Sequence, residues 1–588
     1  MSKGNAFLKL IEALKLVALP VEEHAPEKRV FLACGFTPLH LQTFLAAGLK
    51  LLFPDHRVFV KHGLFGDLSG NIERVQAQED ALDSLVVLVE WSDLDPRLGV
   101  RTLGGWHPSQ MAEIVGSACQ MAARLQKGIV EASRFVRVVA CMPTLPLPPL
   151  FITTPIEASS AEAELRRVVV SLAAALIQEP GIRVVSEQNV NSRSVAEERY
   201  DIKADVTTGF PYHISHASAL AEILSELICD RPPKKGLITD LDDTLWSGIL
   251  GEDGVDGISW HLDQHSQLNG LYQQFLASLA GAGVLIGAAS KNDLTNVERA
   301  FERTDLLISK NEIFPIEAHW SRKSESVERI LKAWNIAPDS VVFVDDSQIE
   351  VAEVQAAYPE MICKVFPRSD YLGVWKLLKD LRELFGKSIV TEDDAIRLRS
   401  IRESGAWREA KGKSPEAAEE FLRAAEACVI IEPAQDCADT RAFELLNKTN
   451  QFNLNGRRLS QAEWSSFFQM PGSFIFTISY KDKFGALGKV AIMMGQAAGE
   501  RVTVTNWVLS CRAFSRRIEY QCVKYLFDAF GANEIVFNYE ATPRNAVLST
   551  LLAELIGEQP QGKVSLSKEL FATKAPRLFH TVEGIVHV

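Results

Sequence analysis

The sequence predicts an α/β protein of several domains whose last section is α+β with antiparallel strands. Short apolar runs alternate with helical patterns as far as about residue 385, which is typical of parallel sheets covered by helices. Four apolar runs in the last section favour antiparallel strands instead. The chain has 588 residues, and one hydrophobic core organises only roughly 250–300. We therefore expect more than one domain.

The first section is predicted to be an α/β domain over residues 1–230. Its strand-like runs are VFLACG, LVVLVEW and VRVVAC, and a helical pattern covers residues 161–178. The N-terminal residues form an amphipathic pattern without a small-residue cleavage site, so we expect a helix there rather than a signal peptide. Two prolines and three basic residues at 231–235 indicate a linker.

The second section, residues 234–388, is predicted to be another α/β domain with a parallel sheet. Strand-like runs cover residues 236–239, 284–290 and 341–347. Polar residues stand where these runs end, namely Asp240, Ser290 and Asp345. Because ligands bind beyond the carboxyl ends of parallel strands, we expect these side chains to meet at one site.

The first of these strands runs into the pattern Asp240-x-Asp242-x-Thr244. Two carboxylates at this spacing can face one pocket, where one attacks phosphorus and the other protonates the leaving group and activates water. Such a pair repels itself and needs a cation, and Mg²⁺ prefers oxygen ligands. The alternative is a set of ordinary capping residues at strand ends.

Four motifs in chain order resemble those of the haloacid dehalogenase (HAD) superfamily of phosphotransferases. The matching residues are Asp240, Asp242, Thr244, Ser290, Lys323, Asp345 and Asp346. The resemblance implies that Asp240 is the nucleophile and Asp242 the general acid/base. It also implies that Ser290 and Lys323 contact the phosphoryl group, and that Asp240, Asp242, Asp345 and Asp346 hold Mg²⁺. The segment 247–260 is too short for a large cap, which suits a macromolecular or carrier-bound substrate.

The third section, residues 389–588, is predicted to begin with a charged helical connector at about 391–425. The strand-like runs SFIFTISY, KVAIMMG, RVTVTNWVLS and EIVFNY follow. Helical patterns cover residues 516–530 and 544–556. We therefore expect an α+β domain.

Longer motifs resemble the FkbH-like branch of the HAD superfamily. They cover residues 240–248, 290–292, 448–454, 482–485 and 509–512. The resemblance is close over residues 234–588 and looser before them. It implies a role in polyketide assembly, in which the enzyme takes the glyceryl group of 1,3-bisphosphoglycerate, removes phosphate and passes a D-glyceryl unit to an acyl carrier protein as a thioester.

The last section also resembles a GNAT acyltransferase around Cys511. Cys511 and Arg512 lie between a strand-like run and a predicted helix. Helix N-termini and nearby arginines lower a thiol pKa, and the thiolate is the nucleophile, so an acyl phosphate could acylate Cys511. The alternative is a small core residue. The turn at 512–517 lacks the glycines that let backbone amides approach a pyrophosphate, so we expect a carrier-bound phosphopantetheine arm to dock rather than coenzyme A.

The amide-rich segment 448–453 supplies further predicted substrate-binding residues. Asn450 and Asn453 could hydrogen-bond the glyceryl hydroxyls, and the alternative is a polar loop with turn-forming asparagines. Thr244, Asn292 and Arg512 complete the predicted substrate-binding set. Asp482 and Phe484 are weaker candidates, because their segment also fits a hairpin turn.

The first section loosely resembles an SGNH hydrolase. Such an enzyme needs a serine after its first strand, but Phe36-Thr37 stands there without a Gly-Asp-Ser. We expect a docking or scaffolding role instead of hydrolysis. His213 and His216 are expected to be helix-start and surface residues rather than ligands.

Composition limits the remaining classes of partner. The chain has 62 Lys and Arg against 75 Asp and Glu, a net charge of −13, and an acidic chain lacks the surface for nonspecific nucleic-acid binding. The apolar stretch 168–177 is shorter than the roughly 20 residues that span a bilayer, so we expect a cytoplasmic protein without membrane contact. The cysteines other than Cys511 are expected to be small buried residues.

We therefore expect a three-domain, Mg²⁺-dependent glyceryl transferase and phosphatase. Two alternatives stay open at this stage. One is a stand-alone phosphatase of a small phosphorylated metabolite, and the other is an inert scaffold in a biosynthetic complex. The transferred unit could also be another phosphorylated hydroxy acid.

Overall fold

The computed structural model describes most of the chain. The described residues are 8–75, 82–103, 107–149, 153–154, 156–387, 390, 394, 397–399, 401–402, 415–434, 436–437, 439–449, 452–483, 485–510, 513–514 and 516–584. The chain forms two compact units, one of Met1–Arg231 with Leu459–Ser466 and one of Pro232–Arg458 with Phe467–Val588. The expected division at 230/234 and 388/389 into three domains stays a prediction.

The first unit is built on a five-stranded parallel sheet with the order β2-β1-β3-β4-β5. Its strands are β1 Glu27–Ala33, β2 Arg57–His62, β3 Ser84–Leu88, β4 Arg137–Cys141 and β5 Ile182–Val184. Its helices are α1 Leu10–Val17, α2 Leu39–Leu52, α3 Leu68–Val75, α4 Trp91–Leu94, α5 Met111–Ser133, α6 Ser160–Ile177, α7 Glu187–Arg193, α8 Ile202–Thr208 and α9 Ile214–Cys229. The central strand β3 is buried along its whole length, as expected for a parallel sheet with helices on both faces.

The two histidines near the end of this unit differ in their surroundings. His213 precedes α9, as the sequence predicts. The expectation that His216 is a surface residue is wrong, because its side chain is fully buried and lies 3.0 Å from both Thr144 Oγ1 and Ser194 Oγ. Burial lowers the pKa of His216 to about 3, so its imidazole is neutral and serves as an internal hydrogen-bonding group.

The cysteines follow the expectation only in part. Cys34, Cys141, Cys428 and Cys522 are buried. Cys119 and Cys437 are exposed, which contradicts the expectation of small buried residues. Cys119 lies in α5, and its place in that amphipathic helix faces away from the core. An isolated cysteine carries no signal that separates these two environments.

The second unit carries a five-stranded parallel sheet with the order β10-β9-β6-β7-β8. Its strands are β6 Gly236–Thr239, β7 Leu285–Ser290, β8 Ile313–Ala318, β9 Val341–Asp345 and β10 Ile362–Val365. The helices that belong to it are α10 Leu250–Gly257, α11 Gln267–Gly281, α12 Leu294–Ala300, α13 Lys323–Trp334, α14 Gln348–Ala357 and α15 Tyr371–Phe385. The three predicted strands are its three central strands, and the strands at its edges are half-buried.

The second unit also carries a seven-stranded sheet with the order β16-β15-β14-β13-β12-β11-β17. Its strands are β11 Cys428–Pro433, β12 Ser473–Asp482, β13 Gly485–Ala498, β14 Arg501–Leu509, β15 Glu534–Asn538, β16 Lys563–Ser567 and β17 Thr581–Gly584. The remaining α-helices whose bounds are described are α16 Pro415–Ala424, α17 Thr440–Lys448, α18 Gln461–Phe467, α19 Ile518–Phe530, α20 Ala546–Ile556 and α21 Lys568–Lys574. Four strand pairs are antiparallel, as predicted, while β14/β15 and β11/β17 are parallel.

Strands β14 and β15 pair only over the first part of β14. Residues Arg501–Val504 pair with Glu534–Phe537, and β14 then continues to Leu509 without β15. The segment 452–454 lies along this continuation: Leu454 donates its N–H to Trp507 O at 3.0 Å, and Leu509 donates to Phe452 O at 3.1 Å. The backbone groups of the divergent part of β14 are thus occupied by the chain itself.

Within the described part of the chain, no helix combines the length and apolar character needed to cross a membrane.

Candidate active site

The centre of the site is Asp240, which follows the central strand β6. Four consecutive buried residues form β6 between β7 and β9. The N–H of Asp240 donates to Val344 O of β9 at 2.9 Å, which extends the ladder by one residue. Its side chain is almost wholly buried. The chain thus brings a carboxylate to the carboxyl edge at the middle of the sheet.

Lys323 is the first residue of α13 and reaches the same edge. Its side chain is only 2% exposed, so a charged ammonium requires partners for its N–H groups. Nζ donates to Asp240 Oδ1 at 2.5 Å, to Asp345 Oδ2 at 3.0 Å and to Ala289 O at 2.7 Å. These contacts fix Lys323 between β6, β7 and β9, and its predicted role of balancing the charge of a phosphoryl group stays a prediction.

The electrostatics of this group are those of buried, coupled charges. Burial raises the pKa of Asp240, although Lys323 opposes the change. Burial, and then the neighbouring Asp240, raise the pKa of Asp345 to about 7. Burial alone would lower the pKa of Lys323, but attraction by Asp240 and Asp345 outweighs it and holds that pKa above its ordinary value. The lysine therefore stays charged.

Three carboxylates form a cluster that could hold a metal ion. Asp240, Asp345 and Asp346 each offer an oxygen, and these atoms lie within 4.8 Å of one another. The donor set is all oxygen and partly buried, which fits Mg²⁺. Negative charge exceeds the single buried lysine here, so a divalent cation suits the electrostatics. The predicted fourth ligand, Asp242, does not contribute its carboxylate to this cluster.

The carboxylate of Asp242 is held by another set of donors. Its Oδ1 accepts from Trp246 Nε1 at 2.9 Å and from the N–H of Leu250 at 3.2 Å. Its Oδ2 accepts from Asn292 Nδ2 at 3.0 Å. Asn292 Nδ2 also lies 3.0 Å from Ser290 Oγ, which links the ends of β6 and β7. Asp242, Asn292 and Ser290 therefore form one hydrogen-bonded chain beside the cluster.

Thr244 links the same loop to the end of β9. The N–H of Asp346 donates to Thr244 Oγ1 at 3.1 Å, and the Thr244 hydroxyl lies 3.4 Å from Asp346 Oδ1. Asn269 Nδ2 of α11 donates to Thr244 O at 3.0 Å. The fully buried threonine thus fixes the loop conformation, and its predicted contact with substrate stays a prediction.

The structure adds residues that the sequence reasoning missed. Glu350, in the first turn of α14, lies 3.3 Å from Lys323 Nζ and 2.7 Å from Lys291 Nζ. Burial raises the pKa of Glu350, but the two lysines outweigh it and the pKa is lowered. Arg368, in the loop after β10, contacts Asp346 and lies 2.7 Å from Asp243 Oδ2. The only sequence signal for these residues was their place just after a strand end.

The second predicted site, in the last section, is described only in part. Cys511, Arg512 and Asn450 lie outside the described residues, as does the weaker candidate Phe484. Asn453 is described and buried. Its Oδ1 accepts from the N–H groups of Asn455 at 3.3 Å and Gly456 at 2.9 Å, and its Nδ2 donates to Thr449 O at 3.1 Å. This geometry is that of a loop-forming asparagine, the alternative that the sequence left open.

Four described side chains form a group in the last section, and one of them, Arg516, follows position 511 by five residues in the sequence. Arg516 is buried and its guanidinium lies 5.5 Å from the ring centroid of Tyr480. Its Nε lies 4.0 Å from Asp482 Oδ2. His580 completes the group, with Nε2 2.7 Å from Arg516 O and its ring 6.2 Å from that of Tyr480. A buried arginine thus lies against a tyrosine ring and a carboxylate of β12.

Comparison with known proteins gives structural similarity only. The sequence matches no protein-family profile, and no curated protein is similar to it. Among solved structures, it is similar to the N-terminal part of protein BF1531 from Bacteroides fragilis, which contains a phosphatase domain and was crystallised with Mg. The identity is 17%, the TM-score 0.50, and the match covers 65% of this chain and 99% of that chain. At this identity the similarity shows the fold alone, here the parallel-sheet α/β architecture.

A second solved structure matches with a TM-score of 0.26. It is an extracellular lipase from Streptomyces rimosus, at 10% identity, over 34% of this chain and 99% of that chain.

Proposed function

We propose that the chain is a Mg²⁺-dependent, HAD-type phosphatase and glyceryl transferase of the FkbH-like kind. It removes phosphate at the carboxylate site and passes a glyceryl unit to an acyl carrier protein by way of Cys511. The phosphatase part rests on the described site, and the fold similarity to a Mg-bound phosphatase domain supports it. The transfer part rests on the sequence resemblance.

The observation that carries the phosphatase proposal is the contact of Lys323 with Asp240 and Asp345. A single buried ammonium holds two carboxylates of different strands, while Asp346 completes an acidic cluster with them. Residues 83 and 22 positions from Lys323 in the sequence are thereby brought together. Ordinary capping aspartates would face solvent or their own helix N–H groups and would not need a buried lysine.

The proposed chemistry uses these residues in two displacements. A carboxylate oxygen of Asp240 attacks phosphorus, the bond from phosphorus to the substrate oxygen breaks, and Asp242 protonates that leaving oxygen. Asp242, now ionised, takes a proton from water as that water attacks the aspartyl-phosphate, which releases inorganic phosphate and restores Asp240. Lys323 and Ser290 balance and hydrogen-bond the phosphoryl oxygens.

Asp240, Asp345 and Asp346 are the side chains that would hold Mg²⁺. When bound, the ion supplies positive charge that offsets the negative charge of the carboxylates and of the phosphoryl oxygens. The hydrogen bonds between the loop after β6 and the end of β9 would keep these three carboxylates together. Thr244 contributes to this by holding the N–H of Asp346.

The proposed transfer step forms a thioester at Cys511. The thiolate attacks the acyl carbon of 1,3-bisphosphoglycerate, the acyl–oxygen bond breaks and phosphate leaves. The pantetheine thiolate of the carrier then attacks the thioester carbonyl, which returns the thiolate to Cys511. Arg516, which is buried and follows Cys511 by five residues in the sequence, would contribute positive charge to this region.

Phosphate release from a simple phosphate ester tests the phosphatase part, because acylation of Cys511 by 1,3-bisphosphoglycerate would itself release phosphate. We expect release with Mg²⁺ by the full chain and none by Asp240→Asn. Asp263→Asn is the matched control, since Asp263 is exposed and outside the site. Full activity of Asp240→Asn would refute the proposed nucleophile.

A further inference from the structure

The long side chain of Arg368 lies on the solvent side of the acidic cluster of Asp240, Asp345 and Asp346. Its guanidinium contacts the carboxylate of Asp346, and its Nη1 lies 2.7 Å from Asp243 Oδ2. The side chain of Arg368 is 55% exposed, whereas that of Asp346 is only 6% exposed. One end of this ion pair is therefore fixed in the site and the other faces solvent.

The loop after β10 determines where Arg368 lies. Phe366 donates its N–H to Asp345 O at 2.8 Å, and Arg368 donates to Phe366 O at 3.1 Å. Ser369 has a φ of +58°, and Asp370 then caps α15 by accepting from the N–H of Gly373 at 2.9 Å. A tight turn bonded to the end of β9 thus carries Arg368 to the cluster.

Asp346 has two competing roles in this arrangement. One oxygen, Oδ1, faces Thr244, and the other, Oδ2, contacts Arg368. Asp346 also belongs to the group of carboxylates that could hold a metal ion. A guanidinium and a divalent cation on one carboxylate repel each other, and the repulsion is strong where water is partly excluded. Binding of either cation to Asp346 therefore weakens the binding of the other.

We propose that Arg368 is an internal counter-cation of Asp346, which the incoming divalent ion displaces, and that Asp243 then keeps Arg368 at the site. This inference rests on the proposed function, because it requires the Mg²⁺ site. Asp243 lies outside the acidic cluster and is itself fixed, since its Oδ1 accepts from the N–H of Gly248 at 2.8 Å.

Displacement leaves Arg368 free to act on the substrate. A guanidinium presents a planar set of N–H donors that matches phosphoryl oxygens. With Asp243 as its remaining partner, Arg368 stays at the carboxyl edge of the sheet, where a phosphorylated substrate would enter. Metal binding would thereby convert a residue that neutralises the empty cluster into one that binds phosphate.

Isothermal titration calorimetry of Mg²⁺ into the metal-free full chain tests this inference. We expect Arg368→Gln to bind Mg²⁺ about fivefold more tightly than the unaltered protein, because an ion pair that competes with the metal is gone. We also expect its KM for the phosphorylated substrate to rise about tenfold. Arg368→Lys keeps the charge, so its Mg²⁺ affinity and KM should lie between those of Arg368→Gln and the unaltered protein. Arg382→Gln is the control, since it removes the same charge from an exposed residue of α15.

The melting temperature supplies a second reading. Without Mg²⁺, Arg368→Gln should melt below the unaltered protein, and saturating Mg²⁺ should close the gap. Unchanged or weaker Mg²⁺ binding by Arg368→Gln would overturn the inference while leaving the proposed function in place. Failure of the unaltered protein to bind Mg²⁺ at all would overturn both.

Discussion

The two sheets of the second unit place functional residues in different ways. In the parallel sheet, the ends of β6, β7 and β9 meet at one edge, and the side chains that follow them bond to one another. In the largely antiparallel sheet, the described part of the predicted site is occupied by the chain itself. Asn453 bonds its own loop, and residues 452–454 cover the divergent part of β14.

The direction of neighbouring strands determines how well a short sequence motif predicts a site. Strand direction alone brings residues that are distant in sequence to one edge of a parallel sheet. A short motif at the end of each strand is therefore sufficient to predict a site there. In the antiparallel sheet, neighbouring strands end at opposite edges. A residue there reaches a ligand through loops, and the described residues 452–454 are held by hydrogen bonds to β14.

Loss of the nucleophile should have the largest effect on the parallel-sheet site. Asp240→Asn keeps the shape of the side chain but removes the carboxylate that attacks phosphorus. We expect phosphate release from a phosphate ester to fall at least about a thousandfold, while acylation at Cys511 by 1,3-bisphosphoglycerate persists. A stopped assay of inorganic phosphate measures phosphate release, and intact-protein mass spectrometry measures acylation of Cys511. Loss of both together would contradict two separable sites.

Removal of Mg²⁺, like the loss of Asp240, should reduce phosphate release and leave acylation of Cys511 little changed. With excess chelator we expect phosphate release from a phosphate ester to fall by about a hundredfold or more, because the charge of Asp240, Asp345 and Asp346 is no longer offset. Acylation of Cys511 should be little changed. Return of activity on adding Mg²⁺ in excess of the chelator is the control. Undiminished release in chelator would rule out the metal.

Loss of Lys323 should destabilise the second unit, whose parallel sheet carries Asp240 and Asp345. Lys323→Met leaves Asp240 and Asp345 buried without their shared partner, and breaking such a buried pair costs about 3–5 kcal/mol. Urea unfolding of the metal-free protein measures this cost. Lys376→Met, at an exposed position of α15, is the matched control. Equal stability of the two variants would contradict the geometry of the lysine.

A substitution of Asn453, in the domain of the largely antiparallel sheet, should have the smallest effect. Asn453→Ala leaves the N–H groups of Asn455 and Gly456 without an acceptor, so we expect a loss of about 1–3 kcal/mol in the free energy of unfolding. Urea unfolding and the KM for substrate are measured together. Unchanged stability with a raised KM would restore the substrate-binding role that the sequence suggested.

Much of the parallel-sheet region could be predicted from sequence, because its central strands are unbroken apolar runs. The flanking strands β8 and β10 were missed, since they are short and half-buried, and β8 contains Pro315. Among the residues at the site, Glu350 and Arg368 were missed. Each is an ordinary charged residue in sequence and acquires its meaning only from Lys323 or Asp346 in space.

The last section was predicted less completely for a physical reason. Strands β12, β13, β14 and β15 have clear apolar patterns and were predicted, whereas β11, β16 and β17 were not. The pairing of residues 452–454 with β14 links segments more than 50 positions apart and has no local signature. The same holds for His216, whose burial depends on Thr144 and Ser194, both distant in the chain.

The most direct test is intact-protein mass spectrometry after incubation with in situ 1,3-bisphosphoglycerate and Mg²⁺. We expect a glyceryl adduct on the unaltered protein, a phosphoglyceryl adduct that persists on Asp240→Asn, and no adduct on Cys511→Ala. An adduct that survives in Cys511→Ala, or phosphate release without any adduct, would contradict the central claim that one chain joins a carboxylate phosphatase site to a cysteine acyl carrier.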